Sequence, residues 1–107
     1  MLVFLHGGGY SGLTWAPLNE ELTRLVDCHT LALDLRGHGC TKTDDDYDLS
    51  AEIMSEDISS AIEEYVKMLN YTPEVVLIGK PYLLWEPLNY VSHLKIYDPV
   101  PSLRINF

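Results

Sequence analysis

The residues best placed to do chemistry stand at the ends of two short apolar runs. His6-Gly7-Gly8-Gly9 closes the run Leu2-Val3-Phe4-Leu5, and Asp34-Leu35-Arg36-Gly37-His38-Gly39 follows the run over residues 29–33. Consecutive glycines admit positive φ and leave backbone N–H groups clear of side-chain cover. With a helix starting soon after, those groups gather at a helix N-terminus, where negative charge is favoured. That is an anion or oxyanion site in outline, although three glycines between a strand and a helix also make an ordinary tight turn. The same residues fit a second pattern. Gly7-x-Gly9-x-x-Gly12, with Asp34 22 positions beyond Gly12, matches the dinucleotide fingerprint of a Rossmann-like fragment. Asp34 would then meet a ribose and Arg36 a 2′-phosphate. Against this stands the helix start, read at Leu13-Thr14, which is late for a pyrophosphate seated after Gly9.

The elements that position these groups follow from hydrophobic periodicity. The run 2–5 is apolar without alternation, as in a strand buried on both faces. Thr14 is read as the cap of a helix to about Val26, with Pro17 in its first turn and Trp15, Leu18, Leu22, Leu25 and Val26 facing a sheet. Residues 29–34 form the second strand. Ser50 or Asp48 caps the next helix, which runs to about Leu69 with Met54, Ile58, Ala61, Ile62, Tyr65 and Leu69 in one stripe. Residues 75–79 (VVLIG) form the third strand. The order βαβαβ implies a parallel sheet. Residues 80–107 differ in character: they hold four of the six prolines and no glycine, and keep no long period beyond short strands around residues 90–97.

Composition narrows the class of protein. The 107 residues carry a net charge of −9 and 47% hydrophobic residues, which fits one globular domain and disfavours a nucleic-acid or anionic-membrane partner. Nine acids lie between Asp44 and Glu64 without a Lys or Arg among them, the usual mark of a solvated helix face. Cys28 and Cys40 match neither a disulfide framework nor a zinc spacing, so reduced thiols and a cytoplasmic or nuclear location are expected. No signal peptide or membrane span is read in the sequence. A chain that opens inside a buried strand points to an incomplete protein.

His-Gly-Gly-Gly after a buried strand is the oxyanion-loop type of esterases and lipases with the α/β-hydrolase fold. More narrowly, HGGGYSGLTWA (6–16), ALDLRGHGCT (32–41), DLSAEIMSEDI (48–58) and VVLIG (75–79) resemble the protein phosphatase methylesterases. The resemblance covers residues 1–79. It implies a partial α/β-hydrolase with a three-stranded parallel sheet, strand order second-first-third, helices on both faces, and an irregular tail over 80–107. It further implies a carboxylesterase acting on the C-terminal leucine methyl ester of the type 2A phosphatase catalytic subunit, without a cofactor or metal. His6, Gly7, Gly8 and Gly9 are then the oxyanion loop; as the alternative, His6 is a strand-end histidine bonded to backbone.

The same resemblance marks what is missing. The family continues the last strand into a G-H-S-M-G-G nucleophile elbow, whereas here Gly79-Lys80-Pro81-Tyr82-Leu83 follows. Pro81 stands where the serine belongs, so there is no hydroxyl to attack and no N–H for the turn. Gly9-Tyr10-Ser11-Gly12-Leu13 misses G-x-S-x-G at its last position and follows the wrong strand, so Ser11 reads as a turn or cap residue. His38 reads as a loop donor, Asp34 and Asp57 as loop and helix acids, and His29 and His93 have no assigned role. The general base and its acid lie beyond residue 107 in the family. The chain is therefore expected to be inactive, as a truncated or alternatively spliced product or a gene-model error, with a non-catalytic phosphatase-binding fragment as the alternative. Three strands leave two open edges, so aggregation or partial unfolding is expected unless residues 80–107 cover one.

Overall fold

The computed structural model describes residues 1–79 and the backbone of Leu94–Tyr97. In chain order it contains β1 (Leu2–Leu5), a 3-10 turn (Gly12–Trp15), α1 (Ala16–Leu25), β2 (Thr30–Leu33), α2 (Ala51–Lys67), β3 (Val75–Gly79) and β4 (Leu94–Tyr97). All strand pairs are parallel, in the order β2-β1-β3-β4. The first three strands thus lie second-first-third, and β1 is central.

The sheet gains a fourth strand over the three expected. Leu94–Tyr97 pairs with β3, Val75 opposite Leu94 and Ile78 opposite Tyr97. A parallel neighbour supplies the backbone partners that an open edge lacks. The tail is thus regular at this point, within the stretch 90–97 where short strands are read from sequence. The outer edge of β2 has no strand beside it among the described residues.

Alternation along β1 divides the interior. Val3 and Leu5 pack with Leu35, Val75, Leu77 and the α2 residues Met54, Ile58 and Ile62 in one buried cluster. Phe4 points to the other face and stacks on Trp15, ring centroids 5.3 Å apart. α2 keeps its predicted stripe because Met54, Ile58 and Ile62 recur at helical spacing, and the small Ser55 and Ser59 fill the same buried face.

The first helix departs from the sequence reading. Thr14 caps nothing; it lies inside the 3-10 turn, and α1 begins at Ala16 with Pro17 in its first turn. No residue of α1 is fully buried: Leu18 is 42% exposed, and Leu25 78%. On the Phe4 face the 3-10 turn lies against β1 and β2. It carries Trp15 onto Phe4, and that contact takes the place of the broad apolar face predicted for the helix.

Candidate functional site

The carboxyl end of β1 delivers His6 to the glycine loop. His6 is 1% exposed and both ring nitrogens meet backbone. Nδ1 lies 2.8 Å from the Gly7 carbonyl oxygen, and Nε2 accepts the Leu35 N–H at 3.0 Å. A carbonyl only accepts and an N–H only donates, so both bonds are made by the tautomer with its proton on Nδ1. The strand-end, backbone-bonded histidine anticipated as the alternative is what the geometry shows, within the loop that the resemblance marks.

After His6 the chain turns on glycine. Tyr10 N–H donates to the Gly7 carbonyl at 3.2 Å, and Gly9 sits at φ +79°, as the third residue of a type II turn requires. Gly9 N–H donates to His38 Nε2 at 3.2 Å, and Gly12 N–H to Asp34 Oδ1 at 2.7 Å. Positions 6, 9 and 12 thus each reach across to the loop after β2, at Leu35, His38 and Asp34. A Cβ on Gly12 would stand 3.2 Å from both the Ala32 carbonyl oxygen and Asp34 Oδ1. That space is used for close approach of two loops.

The second loop is fixed in turn. The other Asp34 oxygen, Oδ2, accepts Cys40 N–H at 2.9 Å, and the Thr41 hydroxyl donates to the Asp34 carbonyl. The N–H groups of Cys40 and Gly12 hold the Asp34 carboxyl below its ordinary value. Arg36 grips Asp57 of α2 with both Nε (2.7 Å) and Nη2 (2.8 Å), while Nη1 donates to the Thr43 hydroxyl and the Asp45 carbonyl. Asp57 holds the guanidinium charged and above its ordinary value. The acidic stretch therefore serves more than a solvated face. Asp46 accepts from Thr43 N–H and hydroxyl, Asp45 from Tyr47 N–H, and Asp48 from Ser50 N–H ahead of α2.

These contacts bear on each residue named from sequence. Asp34 and Arg36, the ribose and 2′-phosphate candidates of the dinucleotide reading, spend their polar atoms on Gly12, Cys40 and Asp57. No helix starts at Gly9. Asp34 and Asp57 are the loop and helix acids anticipated. His38 donates from Nδ1 to the Arg36 carbonyl at 2.9 Å, as a loop donor should, and its acceptance of Gly9 N–H is the part sequence missed. Ser11 precedes the 3-10 turn and makes no capping bond with its side chain. His29 lies apart, beside Tyr65 and Tyr71. Pro81, Tyr82 and His93 lie outside the described residues.

At the carboxyl end of β3, Gly79 stands opposite Leu5, and a Cβ there would come 2.6 Å from the Leu5 carbonyl oxygen. β3 thus ends directly beside the residue before His6. The carboxyl ends of β1 and β3 lie side by side at the switch point of the sheet, where ligands of open α/β folds bind.

Comparison with other proteins agrees with this architecture. Residues 2–79 match the model of the alpha/beta hydrolase family. Among curated relatives, protein phosphatase methylesterase 1 of Mus musculus is 46% identical over 79 residues, covering 74% of this chain and 20% of the relative. The probable protein phosphatase methylesterase 1 of Caenorhabditis elegans is 57% identical over 56 residues, 52% of this chain and 15% of the relative. That of Schizosaccharomyces pombe is 36% identical over 81 residues, 74% and 24% respectively. The chain thus spans about a fifth of the length of the relatives it matches. A solved extracellular alpha/beta-hydrolase from a Paenibacillus species superposes with a TM-score of 0.65 at 16% identity, over 91% of this chain and 38% of that one, a likeness of fold. By the match over residues 2–79 and the sheet that carries it, this chain belongs to the alpha/beta hydrolase family.

Proposed function

We propose that residues 1–79 are the oxyanion-loop portion of a carboxylesterase of the protein phosphatase methylesterase type. Such an enzyme hydrolyses the C-terminal leucine methyl ester of the type 2A phosphatase catalytic subunit, and that subunit is the proposed partner. The observation that carries the reading is the His6-Gly7-Gly8-Gly9 loop at the end of the central strand, which with Gly12 is tied at three points to the Asp34–Gly39 loop. Preorganised donors such as backbone N–H groups aimed at a developing oxyanion are usually the largest single contribution to catalysis of acyl transfer. The nucleophile and its base are not contributed by these residues, and Pro81 at the elbow position offers no hydroxyl, so the chain itself is inactive. The unpaired thiols Cys28 and Cys40 support a reducing, cytoplasmic or nuclear, location.

Two experiments test this. The chain alone should neither hydrolyse an activated ester nor react with a fluorophosphonate probe; labelling that disappears on Ser11→Ala would overturn the assignment of inactivity. The mouse methylesterase carrying residues 2–79 in place of its own matching segment should retain ester hydrolysis. A folded chimera that binds substrate but has lost turnover would sink the oxyanion-loop assignment. The dinucleotide reading predicts saturable NAD or NADP binding that weakens on Asp34→Ala. With both Asp34 oxygens already bonded to backbone, calorimetry should detect none.

A further inference from the structure

Nothing steric holds Gly9 in its turn: a Cβ built there meets no atom within 4 Å. What engages it is hydrogen bonding, and its N–H is held by the ring of His38. We propose that His38 is a positioning residue for the glycine loop, which it latches through Gly9 N–H only while its imidazole is the neutral Nδ1–H tautomer. The tautomer follows from the partners. Nδ1 faces the Arg36 carbonyl at 2.9 Å, which can only accept, and Nε2 faces Gly9 N–H at 3.2 Å, which can only donate. Protonation puts a hydrogen on Nε2, opposite the Gly9 hydrogen, and the bond is lost.

The far end of the latch is anchored. The Arg36 carbonyl belongs to the residue whose guanidinium grips Asp57 with two nitrogens, so the ring is oriented from α2. His6 cannot replace it, because both His6 nitrogens are engaged with Gly7 and Leu35. The titratable and charged groups around His38 are the His6 ring, centroid 4.9 Å away, the Asp34 carboxylate, and Lys42, Asp46 and Tyr47, which line the same shallow cavity of about 370 Å³. The geometry of the latch stands on its own. That the loop it positions is an oxyanion loop rests on the reading of residues 6–9 given above.

The test is nuclear magnetic resonance of the ¹⁵N-labelled full chain between about pH 5 and 8, the range in which imidazoles change charge. Expected are an Nδ1–H pattern for neutral His38, and a Gly9 amide whose shift titrates with the midpoint of the His38 ring. On the acid side, Gly9 hydrogen exchange, corrected for its intrinsic pH dependence, should quicken about fivefold to tenfold, as loss of one hydrogen bond implies. His38→Gln keeps an acceptor and should retain Gly9 protection without the pH step; His38→Leu should lose both. An Nε2–H tautomer, a Gly9 midpoint that follows His6, or Gly9 protection unchanged in His38→Leu would each overturn the proposal. Should His38→Leu not fold, the coupling of the two midpoints in the unaltered chain decides alone. None of these readouts depends on ester hydrolysis, so the latch and the esterase reading fail separately.

Discussion

Gly9 and Gly39 both have positive φ, +79° and +52°, but their surroundings differ, and the difference predicts two unequal substitutions. Alanine in the left-handed region costs about 1–2 kcal/mol, offset by up to about 1 kcal/mol because alanine restricts the unfolded chain. At Gly9 that is the whole effect, since an added Cβ meets nothing within 4 Å. At Gly39 the Cβ would lie 2.8 Å from Asp34 Oδ1 and nearer still to Oδ2 and Cγ. An ordinary contact needs at least 3.4 Å. The carboxylate must therefore swing away from the N–H groups of Gly12 and Cys40, which it holds at 2.7 and 2.9 Å. Forced rearrangement of this kind typically costs about 1–3 kcal/mol more. Gly39→Ala should thus lower stability beyond Gly9→Ala by at least about 1 kcal/mol, or roughly 4–8 °C in Tm for a domain of this size. Urea denaturation followed by Trp15 fluorescence reads the difference. In an Asp34→Ala background the excess should vanish, because the atoms in the way are gone. Equal losses for the two glycines, or an excess that survives Asp34→Ala, would refute the clamp.

The remaining predictions concern the core, acid and the first helix. Leu77→Ala, at a fully buried site between β1 and α2, should cost about 2–5 kcal/mol, whereas Leu25→Ala on the exposed side of α1 should change stability by no more than about 0.5 kcal/mol in the same melts. The Asp34 and Asp46 carboxyls are held below their ordinary value, Asp34 by Cys40 and Gly12 N–H and Asp46 by the Thr43 hydroxyl and N–H. Their stabilising contribution is therefore full above the unfolded value of about 3.9 and is lost as pH falls through the lower folded values. Asp34→Asn should flatten that acid limb. A limb unchanged by the substitution would remove Asp34 from the account. Hydrogen exchange should show α1 amides opening well before those of β1, β3 and α2. α1 buries no residue fully, whereas α2 buries five, so fewer apolar contacts hold α1 closed. Equal protection across the two helices would contradict this.

What could be read from the sequence was whatever depends on near neighbours along the chain. The unalternating run 2–5 gave a strand buried on two faces, and Met54, Ile58 and Ile62 gave the buried side of α2. In 75–79, read the same way, burial alternates, with Val75, Leu77 and Gly79 buried and Val76 and Ile78 half-buried. The strand order came from family resemblance, because periodicity carries no information about which strand lies beside which. α1 misled because an apolar stripe shows what a helix can bury, and the sheet here is met by Trp15 from the turn before it. β4 escaped a firm reading because a four-residue strand among prolines leaves too short a signal, and its place is fixed by the edge of β3.

The site was legible as a composition of residues and illegible as a joint. His6, the glycines and the Asp34–Gly39 stretch stand out by type, yet the bonds that relate them span 29 residues for both His38–Gly9 and His6–Leu35, and 22 for Asp34–Gly12. The dinucleotide pattern failed for an instructive reason. Gly9 and Gly12 are spaced as that fingerprint asks, but here the spacing serves two backbone N–H groups that reach outward to one neighbouring loop. An acid 22 positions on suits both arrangements, since in either one the second strand returns a carboxylate to the end of the first. The arrangements part at the carboxylate itself. A ribose-binding acid keeps its oxygens for the ligand, whereas Asp34 gives one to each loop. Sequence spacing can place such an acid at the switch point; only its hydrogen-bond partners show whether it recognises a ligand or fastens the loops that would.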